Sequence, residues 1–405
     1  MGYKFGCKIQ LSLPRMQTVN FENTEVAFSH KDNRTLNQSY WLFRIIGSPF
    51  MVKFGAFLVN TALKLRIPFG WMIRKNIFAQ FCGGTNIQES LRSAEILAQS
   101  QVGSILDYSV EGKEDESDFE KTTLEIIATI DAAKDKAFIP FSVFKITGVC
   151  QFSLLEKVNA GLSLTEHEHA SWLAAKERVH RICFEAHQRN VALFIDAEDS
   201  WIQDAIDTLV ENMMLEFNTK APIIYQTVQL YRHDRLAYLK QLHLKLKSHA
   251  CVTAVKLVRG AYMEKERKRA SELNYTDPIQ PNKEATDQDF NAAIAYSLDH
   301  ISDFAICCGS HNEESSLMLA LEMEKRGIER SDKRVFFAQL FGMSDHISYN
   351  LSHAGYNVAK YLPYGPIKEV MPYLLRRAQE NTSVKGQTGR ELSLILREKQ
   401  RRKLG

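Results

Sequence analysis

The run VTAVKLVR, residues 252–259, is short and apolar, with Lys256 in its middle and Arg259 closing it. A run of this length bounded by turn or polar residues reads as a β-strand. Seven more share its texture: VGSILDYS from 102, FIPFSVFKIT from 138, VALFID from 191, PIIYQTVQ from 222, DFAICCG from 303, VFFAQL from 335 and NVAKYL from 357. Between successive runs lie stretches long enough for at least one helix, several with apolar residues at helical spacing, as in SLLEKV (153–158) and ISYNLSHA (347–354). Strand and helix alternating eight times predict an α/β chain folded as a (β/α)8 TIM-like barrel. A doubly wound sheet shows the same alternation, but it normally carries a dinucleotide fingerprint, and neither GxGxxG nor GxxxxGK[ST] occurs here.

Outside the eight runs, residues 35 to 100 have helical spacing, which predicts a helical arm. The division expected is residues 1–85 as leader and arm and 86–405 as the barrel. A chain of 405 residues, 45% hydrophobic and 24% charged, can bury a large core. Its net charge of +3, with acids and bases interspersed, leaves no footprint for nucleic acid. The basic end, REKQRRKLG (397–405), reads as a frayed, solvated helix end, with contact to anionic lipid head groups as the alternative. Cys7, Cys82, Cys150, Cys183, Cys251, Cys307 and Cys308 show no CxxC spacing, which suits reduced thiols in the cytoplasm or a matrix-like compartment. The apolar stretch WLFRIIGSPFMVKFGAFLV from Trp41 contains Arg44 and Lys53, so it reads as an amphipathic helix rather than a membrane span. The first 15 residues hold three basic residues and no acid, without the apolar core of a secretory signal. A short leader and a start at Met16 both fit.

In a barrel of this kind the active site lies at the C-terminal ends of the strands. The polar residues there are Asp107, Lys145, Asp196 with Glu198, Gln229 with Tyr231, Lys256 with Arg259, His311 with Asn312, Gln339 and Tyr361. Any one could be the start of a solvated loop; eight strand ends together point to a site. Lys145 and Lys256 sit inside apolar runs, where a lysine is costly unless an anion or carboxylate meets it. Either they form structural ion pairs or the barrel mouth receives an anion. No compact ligand spacing exists, and His167 and His169 stand two apart on different helix faces, so no metal is expected.

The last strand runs into YLPYGPIKEVMPYLLRRAQEN, Tyr361–Asn381. Gly365 and Pro366 start a helix, and Ile367, Val370, Met371, Leu374 and Leu375 form its apolar stripe. Tyr373, Arg376, Arg377 and Glu380 fall on another stripe. A helix following a strand end so closely can fold back over the mouth, where Arg offers bidentate recognition of a carboxylate.

This segment, with KLVRGAYMEKER (256–267), VGSILDYSVEG (102–112) and IDAEDSW (195–201), resembles the flavin-dependent proline dehydrogenases, in particular their monofunctional eukaryotic-type branch. The resemblance spans roughly Phe81 to Arg390, with the motifs in family order on successive strand ends. It implies a distorted barrel with the last helix over its mouth, holding FAD without a Rossmann domain. Lys145, Arg376 and Arg377 match residues that hold the proline carboxylate, and Tyr262, Leu340, Tyr361 and Tyr373, with Ala261, match those enclosing the ring. Asp196 matches an acid thought to order the arginines. Gln229, Lys256, Arg259, Gly260, Ala261, His311, Asn312 and Glu380 match the flavin contacts.

The implied reaction is hydride transfer from C5 of L-proline to N5 of FAD, giving Δ1-pyrroline-5-carboxylate, with a membrane quinone as electron acceptor and peripheral membrane contact. The resemblance places the protein in the cytoplasm, against the inner membrane, if the source is bacterial, and on the matrix side if it is eukaryotic. Met263 stands where part of the family has tryptophan, and Lys256 where the bifunctional branch has arginine. Tyr361 matches a bulky group that disfavours hydroxyproline. The competing readings are a hydroxyproline dehydrogenase of the same family, a Schiff-base lyase using Lys145 or Lys256, and a non-catalytic proline-sensing barrel.

Overall fold

The eight apolar runs are the eight strands of a closed barrel in the computed structural model, which describes residues 19–48, 77–109, 114–383 and 387–404; the side chains of residue 375 and of 378–388 are outside the description. They are β1 (Val102–Tyr108), β2 (Phe141–Lys145), β3 (Ala192–Asp196), β4 (Ile224–Gln229), β5 (Thr253–Val258), β6 (Phe304–Gly309), β7 (Val335–Leu340) and β8 (Val358–Tyr364). Each pairs in parallel with the next, and β8 returns to β1 from Val102↔Val358 to Tyr108↔Tyr364. The (β/α)8 expectation holds, and no described segment follows a doubly wound order. The expected leader and the part of the Trp41 stretch beyond Ser48 lie outside the described residues.

Side chains on a strand alternate between its faces, and residues in register on neighbouring strands share a face. Starting from Lys145, the register passes to Asp196, and on β4 it relates Phe194 to Tyr225. From Thr227 it continues to Lys256, Cys307 and Phe336, then from Leu340 to Tyr361 and Ile105. Asp107, two along from Ile105, pairs with Val143, two before Lys145, so the inward-facing set closes on itself. Low in the barrel this set is aromatic: the Phe141 ring stacks on Phe194 with centroids 4.3 Å apart and meets Phe336 and Tyr225 edge-on. Polar residues occupy the upper layer, above that apolar plug.

The barrel is buttressed from outside. The arm helix Asn33–Ile46 and the segment around Phe78–Cys82 pack on the capping helix, Ile367–Ser383, through Ile46, Phe78, Phe81, Val370, Met371 and Leu374. Gln80 donates to the carbonyl of Gly342 at 2.8 Å, and a Cβ at Gly342, whose φ is +74°, would stand 1.9 Å from the Gln80 carbonyl oxygen. Only glycine fits that approach.

The basic end is not frayed. The helix Gln387–Arg401 buries Leu394 and Ile395 against Ala27, Phe28, Leu36 and Phe43 of the arm. Arg397 pairs with Glu22, Arg401 with Glu25 and Glu398, and Arg402 donates to the carbonyls of Phe28 and Lys31. The charge run had the texture of a solvated face, but an apolar stripe on the same helix docks it and the arm supplies its counter-charges.

Candidate active site

Lys256 points into the barrel from β5, is 4% exposed, and has two partners there. Its ammonium is hydrogen-bonded to Asp196 of β3 and, at 2.5 Å, to the Tyr361 hydroxyl of β8, which also donates to Asp196 at 3.0 Å. The Tyr361 ring lies 4.6 Å beneath the ammonium and parallel to Phe194. Burial and the nearby carboxylates hold the Tyr361 hydroxyl in its neutral form, far above its ordinary pKa. Tyr361 is therefore a fixed wall, oriented by a charged pair, rather than a mobile side chain.

A second group gathers around Lys145 at the end of β2. It acts electrostatically on Asp107, Glu198 and Tyr262, and Arg376 of the capping helix acts on the same tyrosine. Burial pushes the Asp107 carboxyl up to about 6, with Lys145 and a hydrogen bond from Ser109 opposing it. Burial likewise pushes Glu198 up to about 7, against Lys145 and the hydrogen bonds that the Thr147 backbone and hydroxyl donate. Opposite charges thus converge where a substrate carrying both an ammonium and a carboxylate could lie.

On the capping helix, Val370, Met371 and Leu374 are buried as their spacing predicts. Tyr373, expected on the other stripe, is buried in the same cluster at 7% exposure, and the Arg377 guanidinium stacks over its ring at 5.3 Å. Arg376 acts on Tyr262, whereas Arg377 acts on His311. The Glu380 side chain lies outside the described residues.

His311 is half-buried, and its loss of solvent, with Lys360 and Arg377 adding to it, drops its pKa to about 3, so it is neutral. Its Nδ1 is 2.9 Å from Ser344 Oγ, and the Leu340 N–H donates to its Nε2. Leu340 ends β7 facing inward beside Tyr361. Gln229 is buried at the end of β4. Asn312 caps the helix Glu313–Lys325 by accepting from the Ser315 N–H at 2.8 Å. Arg259 is held by Asp287 at 2.7 Å, Ser310 at 2.8 Å and Ser315 at 2.9 Å, with its face on the Phe290 ring. Gly260 has φ +137°, and a Cβ there would meet the Tyr231 ring at 2.4 Å; Ala261 beside it is exposed. Gln339, grouped with the strand-end residues, faces outward and bonds Ser310 and Ser348.

These residues suit a flavin. Thr227 Oγ1 and the Tyr231 hydroxyl are buried beside the end of β4 with no hydrogen-bond partner among the described residues. With Gln229, Lys256 and His311 they offer donors and acceptors to a polar heteroaromatic ring. Two residues of the mouth escaped a role in the sequence reading, Asp107 and Glu198. Both stood at strand ends, and the missing signal was their burial beside Lys145.

An eight-stranded parallel barrel with lysines and an arginine-bearing helix at its mouth is an enzyme whose site takes a small charged molecule. A family model described as proline dehydrogenase matches residues 90–390, and the chain belongs to that family. It is 34% identical to the carbapenem antibiotics biosynthesis protein CarD of Pectobacterium carotovorum over 80% of this chain and 84% of that protein. It is 30% identical to the mitochondrial proline dehydrogenase 2 of Arabidopsis thaliana, over 87% of this chain and 84% of that one. Among solved structures it superposes on proline utilization A from Bdellovibrio bacteriovorus with a TM-score of 0.70 at 20% identity, covering 89% of this chain and 38% of that longer one. The family is generally flavin-dependent, in agreement with the resemblance read from the motifs.

Proposed function

We propose that this protein oxidises L-proline to Δ1-pyrroline-5-carboxylate, using FAD as hydride acceptor and a membrane quinone as the final oxidant. The observation that carries this reading is the Lys145, Tyr262 and Arg376 group beside the Lys256, Asp196 and Tyr361 group, Lys145 in register with Asp196, at the mouth of a proline dehydrogenase barrel. Lys145, Arg376 and Arg377 would bind the proline carboxylate, and Tyr262, Leu340, Tyr361 and Tyr373, with Ala261, would enclose the ring. Gln229, Lys256, Arg259, Gly260, Ala261, His311, Asn312 and Glu380 would hold the flavin, Arg259 through the framework it ties together. When bound, the flavin supplies the hydride-accepting chemistry. The chain supplies orientation: a charge-assisted clamp at one end of the imino acid and a rigid tyrosine wall at the other fix C5, and proximity supplies much of the acceleration.

The Lys256 ammonium, engaged by Asp196 and Tyr361, is placed as a charge and not as a free amine nucleophile, which counts against the Schiff-base lyase. Hydroxyproline dehydrogenation remains the second reading, because a hydroxyproline dehydrogenase of Xenopus laevis is 30% identical over 93% of this chain. The Tyr361 wall, closing on the ring, favours proline. No helix among the described residues is long and apolar enough to cross a membrane. Peripheral contact with the inner membrane, from the cytoplasm or the matrix, suits a protein that must hand electrons to a quinone.

Purified protein should carry FAD, and L-proline should bleach its visible absorption under anaerobic conditions. Protein that cannot be reconstituted with FAD, or whose flavin proline leaves oxidised, removes this reading. In Arg376→Met the KM for proline should rise roughly tenfold to a hundredfold, about the worth of one charge-assisted hydrogen bond, with flavin content retained.

A further inference from the structure

Hydride can leave C5 of proline only when the ring nitrogen has a lone pair to share, so the substrate ammonium must first lose a proton. Among the described residues, three carboxylates gather around Lys145 and Lys256 where they could take it. Asp196 accepts from both Lys256 and the Tyr361 hydroxyl on its Oδ1, and the Lys256 ammonium neutralises its charge. Glu198 accepts from the Thr147 N–H at 3.0 Å on one oxygen and from the Thr147 hydroxyl at 2.5 Å on the other, and it is 6% exposed. Asp107 differs from both. It closes the inward-facing row of β1 two residues beyond Ile105, which stands beside Tyr361. It is half-buried, and the Ser109 hydroxyl donates to its Oδ2 at 2.5 Å; among the described residues this is its one hydrogen bond.

The charged and titratable groups facing Asp107 come from every side of the mouth. Lys145 of β2, Asp196 of β3, Lys256 of β5, Tyr361 of β8 and Cys82 of the arm act on it or feel it directly. Glu198, Tyr262 and Arg376 lie around the same lysine, Lys145.

We propose that Asp107 is the base that accepts the proton from the ring nitrogen of the bound imino acid. This rests on the proposed proline oxidation. The N–H bond of the substrate ammonium breaks and its proton goes to a carboxylate oxygen of Asp107. The electron pair of the C5–H bond then leaves with its hydrogen as hydride to the flavin, which is reduced while the ring is oxidised to the pyrroline with a new C=N bond. A carboxyl pushed up to about 6 is ionised at neutral pH yet basic enough to take a proton from an amine whose positive charge is crowded by Lys145 and Arg376. The bland alternative is that Asp107 only orients Lys145 for the substrate carboxylate.

Stopped-flow reduction of flavin-loaded Asp107→Asn separates the two. Reduction at saturating L-proline should fall by about a hundredfold, and the loss of rate as pH drops through about 6 in the wild type should vanish. Equilibrium binding of L-tetrahydrofuran-2-carboxylate, which keeps ring and carboxylate but has oxygen in place of N–H, should stay within about twofold, read from the flavin spectrum. A raised KM with unchanged reduction at saturation overturns the proposal, as does an oxygen analogue whose affinity falls along with that of proline. If the variant does not hold flavin, the wild type decides. Its reduction by saturating L-proline should slow as pH drops through about 6, and a rate that stays level across that range refutes the role. Wild-type protein that proline cannot reduce would sink the proline reading itself, whereas normal reduction with an indifferent Asn variant sinks only Asp107.

Discussion

Lys256 of β5 and Lys360 of β8 stand in apolar runs of the same texture, VTAVKLVR and NVAKYL, and are 4% and 1% exposed. They do opposite things. Lys256 faces the barrel axis and meets Asp196 and Tyr361 in the mouth. Lys360, in register with the outward Gln339, faces the helices and meets Asp345 at 2.9 Å and the Met343 carbonyl at 2.5 Å. There the arm joins in: Lys31 reaches the same Asp345 at 3.0 Å and His30 at 3.5 Å. A buried charge turned toward the axis equips a site, and one turned away fastens an appendage. Here the fastened loop carries Ser344, whose hydroxyl lies 2.9 Å from His311 Nδ1, and follows directly on Leu340, whose N–H donates to the same ring.

The comparison breaks first at Asp345. Asp345→Ala strands Lys360 and Lys31 without their counter-ion and should cost about 3–5 kcal/mol of unfolding free energy in urea. A loss below about 1 kcal/mol would show that the network does not fasten the arm. Burial pushes the Asp345 carboxyl up, but Lys360 and Lys31 outweigh it and hold it well below the usual range. A depressed folded pKa means stability that is complete above the unfolded value, near 4, and lost as pH falls below it. The deficit of the variant should therefore be full at neutral pH and shrink in acid.

Lys256→Met should do the reverse. Asp196 keeps the Tyr361 hydroxyl and borders the open mouth, so the stability loss should be nearer 1 kcal/mol. Proline-driven flavin reduction should fall at least tenfold, since a charge aimed at the reacting centre is gone. A variant that unfolds but reduces normally would invert the contrast. The smallest effect belongs to Tyr361→Ser, which removes the wall but keeps a hydroxyl: the preference for proline over hydroxyproline should narrow by roughly tenfold or less. An unchanged ratio of the two kcat/KM values would remove Tyr361 from substrate choice.

The barrel was legible because each of its strands is a compact apolar run closed by a polar residue, and the intervening helices carry their own spacing. The candidate site was legible in residue types, since Lys145, Lys256 and the Arg376–Arg377 pair are costly or conspicuous where they stand. The reading had less purchase on the basic end, where Arg397, Arg401 and Arg402 looked solvated and are paired. It had none on Tyr373, whose burial depends on Phe78 and Ile46 arriving from the arm.

What the sequence determined by itself is therefore local or periodic: eight strands, the helices between them, a polar rim and a helix bearing two arginines. Motif resemblance added the family and the chemistry expected of each position. Only the tertiary structure decided which of two similar lysines faces the axis, which carboxylate of the mouth accepts on both oxygens and which has, among the described residues, a single hydrogen bond, and that the helix Gln387–Arg401 packs on the arm. Parity along a strand flips with one residue of register. The pKa of a carboxyl depends on burial and on charges from strands far apart in the chain. Both quantities exist only once the barrel has closed.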